Sequence, residues 1–226
     1  MTEVAAIQHE YLLSGGIRLN GTNSVNRIYS ATEWIAKFAY INLLWIGFSL
    51  VGLILLGFFP ATISMFTVIR KWIMGDRDLP IFRTFWNTYK SEFLRSNGLG
   101  LIVSAVGGLI VLDLIYIKNI ENGLMNSIQI PLYLFMFVVV MTTFYLFPVY
   151  VHYELKLMQV IKNAFLIMLI NPLQNLVMIA GIAAVFFVIN YIPGVGFFFG
   201  GSLCAAIIMA SGFLAFNKVD KKKKMT

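Results

Sequence analysis

Apolar residues along this chain fall into long runs that short polar segments separate. Five runs are long enough to cross the hydrocarbon core of a bilayer, which takes about 20 residues of helix. These runs cover residues 38–59, 98–117, 128–151, 173–192 and 195–216. The last two are separated only by Pro193 and Gly194, which predict a tight helical hairpin because one helix of their combined length would overreach the bilayer. The pattern therefore predicts an all-α, polytopic membrane bundle of about five transmembrane helices.

Two further segments have helical spacing but do not read as spans. The first starts near Leu79 and gathers aromatic side chains on one face, namely Phe82, Phe85, Trp86, Tyr89 and Phe93. Its other face carries Arg83 and Lys90, a combination typical of an interfacial helix. The second covers residues 154–170 and has Lys162 on its polar face. We predict that both are cytoplasmic amphipathic helices and that each leads into a span.

The segment between the first run and these helices has a different character. Residues 61–74 are mostly apolar but too few to span, so they are expected either to lie in the interface or to pack back onto the bundle. Residues 75–78 then read as a turn. Their two carboxylates, Asp76 and Asp78, are expected to act as helix caps rather than as catalytic groups.

Composition supports a membrane protein and argues against an enzyme. Apolar residues make up 59% of the chain and charged residues 12%, against about 45–50% and about 25% in soluble domains. A single cysteine, Cys204, and two distant histidines do not form a metal-binding pattern, and no phosphate-binding loop motif occurs. We therefore expect no enzymatic activity and no cofactor.

The basic residues indicate topology rather than nucleic-acid binding. The net charge is +7, but the lysines and arginines lie between the apolar runs and in the C-terminal tail. Placing the first loop inside puts 13 of the 17 basic residues in the cytoplasm, as the positive-inside rule requires. The prediction is a cell-membrane protein with an outer N-terminus and a cytoplasmic C-terminus. No nucleic-acid partner is expected.

This topology divides the chain into three parts. Residues 1–33 are expected to form a polar extracytoplasmic tail that is partly disordered. Residues 34–217 form a single membrane domain, and residues 218–226 form a basic cytoplasmic tail.

Two sets of side chains are candidates for function. Those expected to contact a partner or anionic lipid are the basic residues and a tryptophan of the first cytoplasmic loop, namely Arg70, Lys71, Arg83, Trp86, Lys90 and Arg95. The intramembrane polar candidates are Asn42, Asp113 and Asn190. Asp113 is the one formally charged residue inside the five runs. It is either an outer-leaflet acid hydrogen-bonded to neighbouring helices through Asn190, or a ligand or proton site.

Four short stretches in fixed order carry a family resemblance. They are Asn42-Leu43-Leu44-Trp45, Pro60-Ala61-Thr62 followed by Val68-Ile69-Arg70-Lys71-Trp72, the aromatic-basic stretch 82–93, and Tyr145-Leu146-Phe147-Pro148 with the basic segment after it. Over residues 26–218 the chain resembles the YesL-like family of bacterial membrane proteins, whose molecular function is unassigned. One departure is Phe59, where the family pattern leads us to expect glycine before Pro-Ala-Thr.

What the resemblance implies about function is an association. Genes of such proteins often lie beside those of carbohydrate-uptake ABC transporters in Gram-positive bacteria. We therefore expect a membrane protein that assists or regulates such a system, with an ABC transporter permease as partner in addition to the lipid bilayer. The alternative is a small-solute transporter in its own right, as an oligomer. The sequence leaves the ligand and the oligomeric state open.

Overall fold

The fold is built from helices alone in the part of the chain that the structure describes. A computed structural model describes the backbone of residues 2–118 and 126–223 and the side chains of 27–115 and 129–220. Within those ranges there is no strand, which confirms the predicted all-α class. In chain order the helices are α1 (Thr2–Val51), α2 (Phe58–Ile73), α3 (Ile81–Ser91), α4 (Phe93–Lys118), α5 (Asn126–His152), α6 (Leu157–Ile170), α7 (Pro172–Tyr191) and α8 (Pro193–Lys223).

Five of these helices contain a stretch that is long and apolar enough to cross a membrane. The stretches are Arg27–Val51, Phe93–Ile115, Gln129–His152, Pro172–Tyr191 and Pro193–Asp220. The chain is thus a multi-pass membrane protein. The hairpin of α7 and α8 is confirmed, and Pro193 suits the first position of α8 because that position needs no backbone N–H donor. The two extra helices predicted from sequence are α3 and α6.

Contacts divide the chain into two units, Met1–Tyr40 and Ile41–Thr226. In the first unit, Lys37 forms an ion pair with Glu33 at 2.5 Å and lies 5.2 Å from the centre of the Trp34 ring. The predicted boundary at residue 33 does not mark a change in structure, because α1 runs through it. The side chains of residues 2–26, the loop beginning at Lys118 and the side chains from residue 221 onward lie outside the described residues.

Helix α2 forms the core of the second unit. Although only 16 residues long, it has ten buried residues, and α3, α4, α5 and α8 all pack against it. Small residues permit this approach, since Ala61 and Ser64 are fully buried. The Ser64 hydroxyl donates to the carbonyl of Pro60 at 2.8 Å, so its burial leaves no unmet donor. The segment therefore packs back onto the bundle, one of the two arrangements expected from the sequence.

The first span ends earlier than the apolar run predicts. Helix α1 stops at Val51, a turn occupies residues 52–57, and α2 starts at Phe58, so the predicted span 38–59 is wrong at its end. Leu53 and Ile54 adopt left-handed backbone angles, with φ of 56° and 64°. Backbone groups of the turn remain bonded, for example Ile54 N–H to the carbonyl of Ser49 at 2.9 Å. An irregular segment within a membrane protein needs such internal pairing.

Two glycines make this turn possible. A Cβ on Gly52 would lie 2.3 Å from the Cα of Gly57, and one on Gly57 would lie 2.6 Å from the carbonyl oxygen of Phe48. Both obstacles are backbone atoms, which cannot rotate away. The chain can therefore leave α1 and enter α2 only where neither residue carries a side chain.

We predict that Gly52→Ala lowers the free energy of unfolding by about 1–3 kcal/mol, the usual cost of forcing extra atoms into a packed site. The measurement is thermal unfolding of the detergent-solubilised protein. The matched control is Gly47→Ala in α1, where an added Cβ meets no atom within 4 Å. That variant should be neutral or more stable. Equal losses in the two variants would contradict the close approach.

Candidate functional site

Most of the aromatic face of α3 packs onto the protein, although Phe82 near its start is 51% exposed. The ring of Phe48 in α1 lies 5.3 Å from Phe85, 5.3 Å from Trp86 and 5.1 Å from Tyr89, between ring centres. The Tyr89 hydroxyl donates to the carbonyl of Phe48 at 3.2 Å. Burial raises the pKa of Tyr89, which keeps the phenol a neutral donor. The aromatic face thus has a protein partner, a phenylalanine of the first span, and the interfacial position of α3 stays a prediction.

The basic face of α3 is what remains accessible. Arg83 and Lys90 are exposed, and Lys90 Nζ lies 4.5 Å from the centre of the Trp86 ring. Trp86 is half-buried between Phe48 and this lysine, so its role is to support the helix. Of the three predicted contact residues on α3, Arg83 and Lys90 are exposed, whereas Trp86 packs against other side chains of the protein.

Arg95, another predicted contact residue, is engaged inside the protein. Its guanidinium donates to the carbonyl of Leu155, lies 5.1 Å from the centre of the Tyr150 ring and is 3.9 Å from a carboxylate oxygen of Glu92. The Tyr150 hydroxyl donates to the same carboxylate oxygen at 2.5 Å. These contacts tie the start of α4 to the end of α5 and the turn that follows it.

Arg70 is likewise an internal contact. Its Nε donates to Nδ1 of His152 at 3.3 Å, which requires an unprotonated Nδ1 and therefore places the proton of a neutral imidazole on Nε2. The His152 ring in turn lies 4.7 Å from that of Phe216 in α8. Arg70 thus links the end of α2 to α5, and through the imidazole to α8.

Two polar clefts flank α3. The larger, which we call the basic cleft, has a volume of about 320 Å³, and its polar lining residues are Lys71, Asp76, Arg83, Thr84, Asn87 and Thr88. The smaller, which we call the hydroxyl cleft, has a volume of about 220 Å³, and its polar lining includes Thr67, Thr88, Ser91, Glu92, Tyr150 and Glu154. The structure thus brings Lys71 and Arg83 together, and it places Arg95 at the other cleft.

The expected capping role of the acidic turn residues is not observed. The N-cap of α3 is Pro80, and no side chain caps the helix there. Asp76 instead follows the left-handed Gly75, with φ of 103°, at the end of α2. Its N–H bonds to the carbonyl of Lys71 at 3.0 Å while the N–H of Gly75 bonds to that of Trp72 at 3.1 Å. This is a Schellman motif, which ends a helix through backbone bonds alone.

Asn42, the first intramembrane candidate, joins two spans. Its side chain is 1% exposed. Its Nδ2 donates to the carbonyl of Phe197 at 2.7 Å, and its Oδ1 accepts from the N–H of Ser202 at 2.9 Å. A Cβ on Gly201 would lie 2.9 Å from that oxygen, so the glycine allows the approach. Both ends of the amide are thus used within the protein.

The other two intramembrane candidates do not pair with each other. The Nδ2 of Asn190 donates to the carbonyl of Phe186 in its own helix at 3.1 Å. Asp113 is half-buried in α4 and makes no hydrogen bond or ion pair with the described residues. The structure therefore does not show the predicted hydrogen bond between them, and the one hydrogen bond of the Asn190 side chain to a described residue stays within its own helix.

Comparison of the sequence with known proteins identifies a family. Residues 38–114 match the family model described as "Protein of unknown function, DUF624". The chain is 37% identical to the uncharacterized protein YteU of Bacillus subtilis (strain 168), over 88% of this chain and 89% of the relative. It is 35% identical to the uncharacterized protein YesL of the same organism, over 84% and 90%. The chain belongs to the YesL-like, DUF624 family. No solved structure matches it.

The segment matched by the DUF624 model contains most of the features described above. It includes the end of α1, the turn at 52–57, α2, α3 and most of α4. Sequence reasoning missed Phe48, Glu92 and Tyr150. Phe48 lies in an uninterrupted apolar run, so nothing in the sequence distinguishes it from its neighbours as the residue that contacts α3. Glu92 did give one, since it is an acid inside a basic-aromatic stretch.

We predict that Asn42→Ala lowers the free energy of unfolding by about 1–3 kcal/mol, because it leaves the Phe197 carbonyl and the Ser202 N–H without their partner. Thermal unfolding in detergent measures this. Asn190→Ala is the control, since that exposed amide bonds only to its own helix, and it should stay within about 0.5 kcal/mol of the parent. A stable Asn42→Ala protein would rule out the bridging role.

Proposed function

We propose that this DUF624 protein is a non-enzymatic membrane protein that assists or regulates a carbohydrate-uptake ABC transporter. The observation that supports the proposal is that one face of α3 is packed against the protein and the other is exposed. Its aromatic face is used inside the protein, while Arg83 and Lys90 are exposed beside it. A rigid helix with an outward cationic face is suited to docking on an acidic segment of a permease. The carbohydrate system itself is inferred from the family resemblance.

The use of polar groups inside the spans favours an accessory role over independent sugar transport. A sugar pathway needs many hydrogen-bonding groups that are free to meet the solute. Here the amide of Asn42 is occupied on both sides. The hydroxyls of Thr142 and Thr143 bond to carbonyls of their own helix at 2.8 and 2.9 Å. Both polar clefts instead lie beside α3.

The proposal includes an orientation in the cell membrane. With the N-terminus outside and the C-terminus inside, α3 and both clefts lie on the cytoplasmic side, where an ABC transporter couples to its ATPase. The distribution of basic residues supports this orientation, because the loop that holds α3 carries six of them and the loop at Lys118 only one.

Reporter fusions test the orientation. A reporter joined after Thr226 should give a cytoplasmic signal, and one inserted in the loop 118–127 should give an external signal. The paired measurement controls for expression, since both fusions contain all the spans up to the loop. A cytoplasmic signal from the loop would overturn the orientation.

Crosslinking and co-purification from native membranes test the docking surface. We predict that Arg83→Glu combined with Lys90→Glu lowers recovery of the permease about tenfold. The reason is that two favourable charge contacts, each worth about 0.2–1 kcal/mol, become repulsive.

The matched control reverses the exposed Lys162 on α6, a cation on a different helix, and Lys162→Glu should leave recovery unchanged. All three proteins must be present in the membrane at equal amounts. Undiminished recovery with the Arg83 and Lys90 reversals would exclude this face as the docking surface.

A further inference from the structure

The basic cleft between the end of α2 and α3 has a charge arrangement of which the proposed docking role uses only Arg83. Lys71 and Arg83 both line it. Neither forms an ion pair or a hydrogen bond through its side chain with any described residue. Asp76 is also on the wall, yet it lies beyond ion-pairing distance of both cations. The cleft therefore holds two cations without a direct ion-pair partner among the described residues, and Asp76 is the one carboxylate in its lining.

Neutral donors complete the lining. The hydroxyls of Thr84 and Thr88 and the amide of Asn87 face the same cleft. None of these three side chains makes a hydrogen bond to another described residue. Helix α3 also begins here without a side-chain cap, which leaves amide donors in its first turn. Cations together with several open donors match the oxygens of a phosphate group, which are all acceptors.

The remaining walls indicate what else the ligand carries. Leu79 and Pro80 line the cleft as well, and Leu79 is buried. The volume of about 320 Å³ is at the lower end of small-molecule sites. Because α3 directly precedes the span in α4, we expect the cleft to lie near the membrane surface. The phosphate of an anionic lipid headgroup would meet the cations there, and the start of an acyl chain would meet the apolar wall.

We propose that the basic cleft is a binding site for a phosphate group, with Lys71 and Arg83 as its charged ligands and Thr84, Asn87 and Thr88 as its neutral donors. Two sources share this chemistry, namely the headgroup of an anionic phospholipid and free inorganic phosphate. The site shares Arg83 with the docking face but has a different second cation, because Lys71 lines the cleft and Lys90 does not.

The test measures binding to the full-length protein in detergent with no permease present, so its failure is separate from failure of the docking proposal. The probes are dioctanoyl phosphatidylglycerol, dioctanoyl phosphatidylcholine and inorganic phosphate, titrated by calorimetry. Phosphatidylglycerol should bind saturably, and more tightly than the zwitterionic phosphatidylcholine. Lys71→Gln and Arg83→Gln should each weaken it about fivefold, as expected for loss of one cation near an anionic headgroup.

Two further variants keep the test decisive. Arg83→Lys retains the charge and should keep most of the affinity, and Lys162→Gln removes an exposed cation of α6 and should change nothing. If inorganic phosphate displaces phosphatidylglycerol, the site accepts the free ion as well. If phosphate does not bind but phosphatidylglycerol does, the source is the lipid headgroup. Absence of saturable binding, or equal affinity in the parent and both glutamine variants, would overturn the proposal.

Discussion

The backbone contact between Gly52 and Gly57 is the constraint on which the second unit depends. A Cβ on Gly52 would lie 2.3 Å from the Cα of Gly57. The backbone at the start of the turn is therefore too close to the backbone at its end for a side chain to fit between them. The turn lets α1 end at Val51 and lets α2 enter the bundle as a short, buried helix. Four other helices then pack against α2. Small residues at close backbone contacts are the usual basis of such packing in membranes, where lipid supplies no hydrophobic drive for helix association.

The same arrangement explains why α3 has two different faces. Ending α1 at Val51 leaves Phe48 beside α3, and that ring becomes the common neighbour of Phe85, Trp86 and Tyr89. Because the aromatic face of α3 is turned toward Phe48, the other face, which carries Arg83 and Lys90, is turned away from the protein and is exposed. The orientation of the basic face therefore follows from the contact between Phe48 and α3.

Two polar side chains of α1 hold helices together. Asn42 bonds to two backbone groups of α8, and Trp45 Nε1 donates to the hydroxyl of Thr62 at 3.0 Å. In hydrocarbon an unpaired polar group is costly, so such pairs fix which helices are neighbours. The cations Lys71 and Arg83 at the basic cleft, in contrast, make no such bond with the described residues.

Much of the fold follows from the sequence alone, because apolar run length and proline position act locally. These features predicted the five spans, the hairpin at Pro193 and the existence of α3 and α6. Where α1 ends was decided by tertiary structure, since an apolar turn such as 52–57 has the same composition as the helix around it. The tertiary structure also decided which charged side chains have a partner within the protein. Arg95 pairs with Glu92 three residues before it, but Tyr150, which is 58 residues away, reaches Glu92 only when α5 packs beside the start of α4. Helical periodicity shows which residues share a face, but only the packed neighbour, here Phe48, determines whether that face meets protein or lipid.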